Sequence, residues 1–382
     1  MTLKANWNYP TAVRFGPGRI AELAQACRAA GIERPLLVTD SGLSGLPMIK
    51  DAIARLGADG LKVTLFDRVQ ANPVAANVED GLKVFRDSGS DGVIAFGGGS
   101  ALDCGKVVAF MAGQSRPMWD FEDIGDWWTR ADPSGIAPII AVPTTAGTGS
   151  EVGRAGVITD ETTQTKKVIF HPRMMPQIVI CDPELTVGLS AKVTVGAGMD
   201  ALAHCLEAYC APGFHPLADG IAVEGIRLCK VFLPRAVADG ADIEARAQMM
   251  AAAAMGATAF QKGLGAIHAL SHPIGSVHHT HHGMTNAVFM PYVLAFNRPA
   301  IEAKIARLAA YLGLEPSFDA FYDWIIALRR ELGVPETLKA FGVTRIDYGR
   351  LAKMAIVDPT AGGNPVPLTE AAAEALFREA TG

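Results

Sequence analysis

The chain has 382 residues, 49% hydrophobic and 19% charged, with a formal net charge of −5; this is the composition of compact domains that bury their own cores, with length enough for two. It holds no basic block, which excludes nucleic-acid binding as the main task, because neutralising phosphates takes clustered Lys and Arg. The six cysteines form no CxxC pair, the stretch Met1 to Tyr9 is polar, and the longest apolar run, Met249 to Phe260, is only twelve residues; these predict reduced thiols in the cytoplasm, no disulfide, no leader and no membrane span.

From Thr11 to about Asp182, short β-type runs alternate with amphipathic segments. Arg19 to Ala30 reads as a helix that Gly31 can end, and Pro35 to Thr39 follows as a buried strand. Further strands are predicted at Leu61 to Phe66, Gly92 to Phe96, Ile136 to Val142 and Gln177 to Cys181. Strands separated by helices imply an α/β domain with a mostly parallel sheet covered on both faces. Its ligand crevice lies beyond the carboxyl ends of the strands.

Two loops fall at such ends. In Phe96-Gly97-Gly98-Gly99-Ser100-Ala-Leu-Asp103 a strand meets three glycines and then a helix. Glycines let the backbone approach a phosphate, and the free amides of a helix N-terminus supply donors and partial positive charge. The run is neither the strict G-x-G-x-x-G fingerprint, which needs glycine at Leu102, nor a Walker loop; on local grounds a plain tight turn explains it equally well. Pro143-Thr144-Thr145-Ala-Gly147-Thr148-Gly149-Ser150-Glu151 also follows a strand, and its hydroxyls and glycines suit a nucleotide or a simple connection. Asp40 ends the first of the predicted strands. A carboxylate there accepts hydrogen bonds from ribose hydroxyls and repels a 2′-phosphate, favouring NAD over NADP, or it caps the next element.

After about Leu189 the strand signal disappears. Ala191 to Tyr209, Leu217 to Phe232, Ile243 to Gln261, Gly283 to Phe296, Ile301 to Leu312, Phe318 to Leu332 and Thr369 to Ala380 read as helices. The second half is therefore all-helical. The boundary is expected just after Asp182-Pro183, giving domains 1–187 and 188–382.

This helical half carries the densest chemistry. Asp200 and His204 are four residues apart on one helix face, and His268 and His272 repeat the spacing, close enough for a pair to touch one ion. With His282 the stretch offers one carboxylate and several imidazoles, a set suited to divalent iron or zinc. Six of the nine histidines (His268, His272, His278, His279, His281, His282) fall within fifteen residues, which weighs against a chance pair, although a histidine-rich loop also binds metal adventitiously.

Taken together, GGGS-x-x-D, PTTAGTGSE, GMDALAHCLEAY, HALSHPIG and HHG, in this order over nearly the whole chain, resemble the iron-containing (group III) alcohol dehydrogenases, which include lactaldehyde reductases and 1,3-propanediol dehydrogenases. The resemblance implies a dehydroquinate synthase-like architecture: an N-terminal dinucleotide-binding domain and an all-α C-terminal metal-binding and substrate domain, with the active site in the cleft between them. It implies metal ligands at Asp200, His204, His268 and His282, and a non-ligand histidine, His272, close to the nicotinamide and substrate; we read His272 as a candidate for the proton path, with a neutral histidine packed on the nicotinamide ring as the alternative. Cofactor positions carried over from it are Asp40, Asn72, Gly99, Ser100, Asp103, Thr144, Thr145, Thr148, Lys166 and Leu185. A homodimer or larger homo-oligomer is implied in the same way.

The sequence departs from that pattern at Ser276-Val-His278-His279-Thr-His281-His282, where His281 and His278 compete with His282 as ligand, and at Gly363-Asn364-Pro365-Val366-Pro367, which lacks the arginine common after that Asn-Pro. Both bear on the substrate rather than the reaction class. The expected reaction is NAD(H)-linked hydride transfer to or from a small alcohol or diol, with Fe(II) or Zn(II) polarising the substrate oxygen. Rival expectations are an oxidoreductase of an acidic substrate such as maleylacetate or a hydroxy acid, a dehydroquinate synthase-like lyase, for which clustered Lys and Arg are missing around Asp200 to Gly283, and a metal-dependent hydrolase, which leaves both nucleotide-type loops unexplained.

Overall fold

A computed structural model describes the strand at residues 5–7 and residues 11–382; the reading of Met1 to Tyr9 as a polar start without a leader otherwise lies outside the described residues. The chain forms two compact units, one of Met1–Thr145 and Gly149–Gly188, the other of Ala146–Thr148 and Leu189–Gly382.

The first unit is built on the strands β1 (Ala5–Trp7), β2 (Ala12–Phe15), β3 (Pro35–Asp40), β4 (Thr64–Val69), β5 (Gly92–Gly97), β6 (Ile139–Pro143), β7 (Ala155–Asp160), β8 (Thr165–Phe170) and β9 (Ile178–Cys181). Seven of them make one sheet in the order β1-β2-β9-β6-β5-β3-β4, parallel except for the β1–β2 pair. The helices α1 (Leu23–Ala29), α2 (Ser41–Ser44), α3 (Pro47–Ala58), α4 (Ala75–Asp87) and α5 (Gly99–Met111) connect them. Period-2 alternation divides the central strands between two cores: Leu36, Val38, Val93 and Ile139 pack on one side, and Leu37, Ile94, Phe96 and Ile140 on the other. Strands buried on both faces explain why these stretches read as continuous apolar runs.

Two sequence readings of this unit are corrected. The stretch Arg19 to Ala30 is not one helix but a 3₁₀ turn, Arg19–Glu22, followed by α1. Strands β7 and β8, which sequence pattern did not flag, form a separate antiparallel hairpin; β8 is mostly half-buried, Thr-Lys-Lys-Val-Ile-Phe, so its alternation is weak.

The second unit contains α6 (Ala191–Cys210), α7 (Pro216–Ala238), α8 (Ile243–Ala259), α9 (Ala266–His278), α10 (His282–Tyr311), α11 (Phe318–Glu331), α12 (Tyr348–Ile356) and α13 (Glu370–Thr381). Helix α6 packs against α7, α8 and α10, and from Thr194 to Cys210 only Ala197 is not buried, as expected of a helix with apolar or small residues all round. No described helix is long and apolar enough to cross a membrane.

Where two helices were expected, Gly283 to Phe296 and Ile301 to Leu312, one continuous helix α10 runs through Pro291 and Pro299. Each interior proline removes a backbone bond at a cost of about 3 kcal/mol. The buried face continues across the second of them, with Val293, Leu294 and Asn297 before Pro299 and Ile301, Ile305 and Leu308 after it, and fully burying each such apolar side chain contributes about 1.5–3 kcal/mol.

Small residues let α6 and α10 approach. A Cβ on Gly283 would lie 2.0 Å from the Gly196 carbonyl oxygen and 2.9 Å from Asp200 Cβ, and one on Gly196 would lie 2.4 Å from the His281 ring. Replacing Gly283 with Ala must therefore separate the helices. We expect G283A to lose about 1–3 kcal/mol of stability, the range for overpacking a filled core, and to retain less metal. Denaturant melts and metal analysis check this, and wild-type values for both would show that the approach is not limiting.

Candidate metal centre and nucleotide loops

Helix α6 starts with Ser190 as its cap, the side-chain oxygen accepting from Val193 N at 3.3 Å. About three and four turns further along, its inward face carries Asp200 and His204, both buried. Helix α9 brings His268 in its first turn. It ends at His279, which takes the left-handed conformation (φ 54°), and α10 begins directly after His281 with His282 as its first residue. The histidine-rich run is thus a reversal between two helices, and it starts α10 on the ligand-type side chain of His282.

Around Asp200 Oδ1, the Nε2 atoms of His282, His268 and His204 lie at 3.4, 3.7 and 3.9 Å. Tetrahedral coordination with bonds of about 2.0–2.2 Å sets neighbouring ligand atoms about 3.3–3.6 Å apart. Donor atoms of Asp200, His204 and His268 all lie within 4.8 Å of one another. The amide nitrogen of Asn286 donates to Asp200 Oδ1 at 2.8 Å and lies 3.2 and 3.3 Å from Nε2 of His268 and His282, while its Oδ1 is buried without a partner among the described residues. Acceptors from three elements therefore point at one spot, the arrangement a cation needs, and the donor set of one carboxylate and three imidazoles fits divalent iron or zinc.

The buried groups of the cluster shift one another. Burial alone would raise the Asp200 carboxyl, but the imidazoles of His204, His282 and His268 hold it far below the usual carboxylate range. Burial lowers His204 to about 4. At His268 burial also acts downward, yet Glu207 and Asp200 outweigh it and raise the group to about 9.

Of the remaining histidines, His272 lies beside the cluster. Its ring stacks on His282 (centroids 5.2 Å apart, planes at 21°), and its Nδ1 meets Asp358 Oδ2 at 2.8 Å. His281 packs on the glycine face of α6, and burial lowers its pKa. His278 is the last residue of α9.

Four supporting residues escaped sequence reading. Glu207, three residues after His204, bonds His268 and the start of α9. Asn364 Oδ1 accepts from Ala266 N at 3.1 Å and from Asn297 Nδ2 at 2.8 Å. Asn286 and Asp358 complete the set. Glu207 and Asn286 do sit at helical spacing from His204 and His282, a usable signal; Asp358 and Asn364 reach partners 67 to 98 residues away, and their roles carry none.

In the α/β unit, β5 passes into α5 through Gly97 (φ 151°), where a Cβ would lie 2.7 Å from that of Ala101, and Gly98 is extended without a side-chain cap. The first-turn amides of Gly99 and Ser100 are thus uncapped. Asp40 Oδ1 caps α2 through Gly42 N and Leu43 N at 2.9 and 3.1 Å, and Oδ2 is on the Gly97 side, 3.6 Å from where a Cβ there would stand. Asn72, at φ 53°, donates its N–H to Ser100 Oγ at 3.3 Å. Thr144 N donates to Gly97 O at 3.0 Å, and a Cβ on Gly98 would touch Thr145. Asp40, Asn72, Gly99, Ser100, Thr144 and Thr145 are thereby gathered at the carboxyl ends of the strands. Asp103 spends its oxygens on Ser150 Oγ (2.5 Å) and Val157 N (3.1 Å), with buried Lys106 beside it at 3.3 Å; it ties the second loop down. Lys166 lies on β8, Leu185 is buried in the turn Pro183–Thr186, and Thr148 belongs to the segment grouped with the helices.

Comparisons with known proteins point to one family. Residues 10–183 match the family model described as iron-containing alcohol dehydrogenase, and 194–381 match that of the C-terminal part of the same family. A 4-hydroxybutyrate dehydrogenase of Cupriavidus necator is 40% identical over 94% of each chain. Among solved structures, a 1,3-propanediol oxidoreductase superposes over 100% of both chains with a TM-score of 0.92 at 36% identity. A sulfoacetaldehyde reductase of Bifidobacterium kashiwanohense in complex with NAD+ gives a TM-score of 0.88 at 29% identity, over 100% of this chain and 98% of that one. The chain belongs to the iron-containing alcohol dehydrogenase family.

Removing an imidazole from the cluster leaves Asp200 short of partners and a bound cation short of a ligand. His268→Ala and His282→Ala are expected to lose both metal and turnover, measured as metal per chain after desalting and as NADH formed. A full metal complement with a normal rate in either variant would remove that residue from the ligand set.

Proposed function

We propose that this oxidoreductase interconverts a small alcohol or diol and its aldehyde with NAD(H), using Asp200, His204, His268 and His282 to hold Fe(II), or Zn(II) in its place. The observation that carries this is the convergence of one buried carboxylate and three imidazoles on a single point of the helical unit. A divalent cation held there supplies Lewis acidity toward a substrate oxygen.

The chain's own residues do the rest. With Nδ1 held by Asp358, His272 presents Nε2 as the atom that accepts a proton from the alcohol hydroxyl and returns it to water. The amides of Gly99 and Ser100 take the pyrophosphate at the start of α5. Asp40 keeps one oxygen for its cap and turns the other to the ribose hydroxyls, so that a 2′-phosphate is repelled. Asn72, Thr144, Thr145, Thr148, Lys166 and Leu185 make up the remainder of the cofactor site, and Asp103 serves it by holding the second loop. On this reading residues 1–187 are the dinucleotide-binding domain and 188–382 the metal-binding and substrate domain. The protein works in the cytoplasm, a compartment supported by six buried free cysteines, as a homodimer or larger homo-oligomer.

The 4-hydroxybutyrate dehydrogenase and the sulfoacetaldehyde reductase favour a second reading, in which the alcohol also bears an acid group. A screen of NADH absorbance with short alcohols, diols and ω-hydroxy acids, on protein loaded separately with Fe(II) and Zn(II), separates the two. Turnover of 1,3-propanediol with none of 4-hydroxybutyrate supports the first, the reverse supports the second, and NADH from no alcohol would overturn both.

Asp40→Gly removes the carboxylate and is expected to raise kcat/KM with NADP relative to NAD by at least about tenfold, since a lost like-charge repulsion of about 1.4 kcal/mol gives that ratio. An unchanged ratio would take Asp40 out of the ribose site.

A further inference from the structure

Glu207 is a buried carboxylate, 5% exposed, and no step of the proposed reaction uses it. A buried carboxylate is costly unless its oxygens are matched by donors. Its Oε1 accepts from the backbone N–H of Ile267 at 2.6 Å, and its Oε2 meets Nδ1 of His268 at 2.5 Å. One side chain on α6 thus holds both the first turn of α9 and the imidazole that this turn carries. The neighbouring amide of Ala266 is taken separately by Asn364. Gly265 permits the crowding, because a Cβ there would lie 2.8 Å from Asn364 Oδ1 and 3.1 Å from Glu207 Oε1.

We infer that Glu207 is a positioning residue for the metal centre: by accepting the Nδ1 proton of His268 while anchoring α9, it fixes the ring so that Nε2 offers its lone pair to the cation. An imidazole has two nitrogens, and the partner of one decides which of them is bare. Asp200 Oδ1, 3.7 Å from His268 Nε2, lies on the cation side of the ring, and Glu207 on the other. This inference rests on His268 being a ligand.

Glu207→Gln tests it, because glutamine has nearly the same shape but only one acceptor. If its oxygen keeps the Ile267 N–H, its NH₂ faces Nδ1, which must then accept, and the proton moves to Nε2 where the cation should bind. A plain helix cap would survive this exchange, since the oxygen still serves Ile267.

The measurement is Co(II) and Zn(II) affinity by chelator competition on wild type, Glu207→Gln and His268→Ala, alongside melting of each metal-free protein. For Glu207→Gln we expect affinity to fall about 10–100-fold, with the metal-free melting temperature close to wild type. Wild-type affinity in Glu207→Gln together with loss of metal in His268→Ala would overturn the role of Glu207 alone. Metal retained in His268→Ala would instead overturn the ligand assignment beneath it. Should Glu207→Gln not fold, ¹⁵N spectra of histidine-labelled, Zn(II)-loaded wild type decide the matter. The inference requires the His268 proton on Nδ1, and a proton absent from Nδ1 would refute it.

Discussion

A carboxylate taken out of water, Asp200, is the constraint that orders the helical unit. An isolated buried charge costs several kcal/mol even after relaxation, and α6 buries this one nearly completely. Imidazoles from α6, α9 and α10, with the amide of Asn286, surround it. The helices have to meet at this point, and their sequences show how. Glycines remove the bulk between α6 and α10, a left-handed histidine reverses the chain between α9 and α10, and Glu207 and Asn364 take up the amides that the start of α9 would otherwise bury unpaired. Packing and chemistry are solved by the same residues, which is why the stretch from Val195 to Gly283 is so rich in small side chains.

The α/β unit follows a different logic. Its sheet is buried on both faces, so its chemistry is confined to the ends of the strands. There Gly97 and Gly98 leave the N-terminus of α5 open, while Asp103, Lys106 and Ser150 pin the second loop from beneath. Lys106 is fully buried, and burial lowers its pKa while Asp103 and Glu151 act in the opposite sense. Its ammonium also bonds the carbonyls of Ser150 and Ala155. A loop held this firmly presents its backbone in one conformation, which lowers the ordering cost of binding a flexible ligand.

How much of this was legible in the sequence depends on the range of the interaction. Asp200 with His204 is one helical turn, and the glycine turn after β5 is a local pattern, so both could be read directly. That His268 and His282 join the first pair depended on resemblance to relatives, because nothing local sets their distance from α6. The roles of Asp358 and Asn364 were invisible, since an Asp after a helix or an Asn before a proline is common and their partners lie 67 to 98 residues away. The two expected helices that proved to be α10 failed for a related reason. Proline punctuates local structure reliably, yet burial on both sides of Pro299 carried the helix through. The hairpin β7–β8 was missed because it belongs to no layer of the main sheet and its second strand is mostly half-buried.

Family membership, the nucleotide-type turn and the donor cluster all lead to one requirement, that a single divalent cation sits among side chains from three helices. Anomalous diffraction from crystals of the metal-loaded protein, recorded at the iron or zinc edge, tests it most directly. The account predicts one strong peak per chain within about 2.0–2.3 Å of Asp200, His204, His268 and His282. A peak on His278, His279 or His281, or one that excludes Asp200, would contradict it.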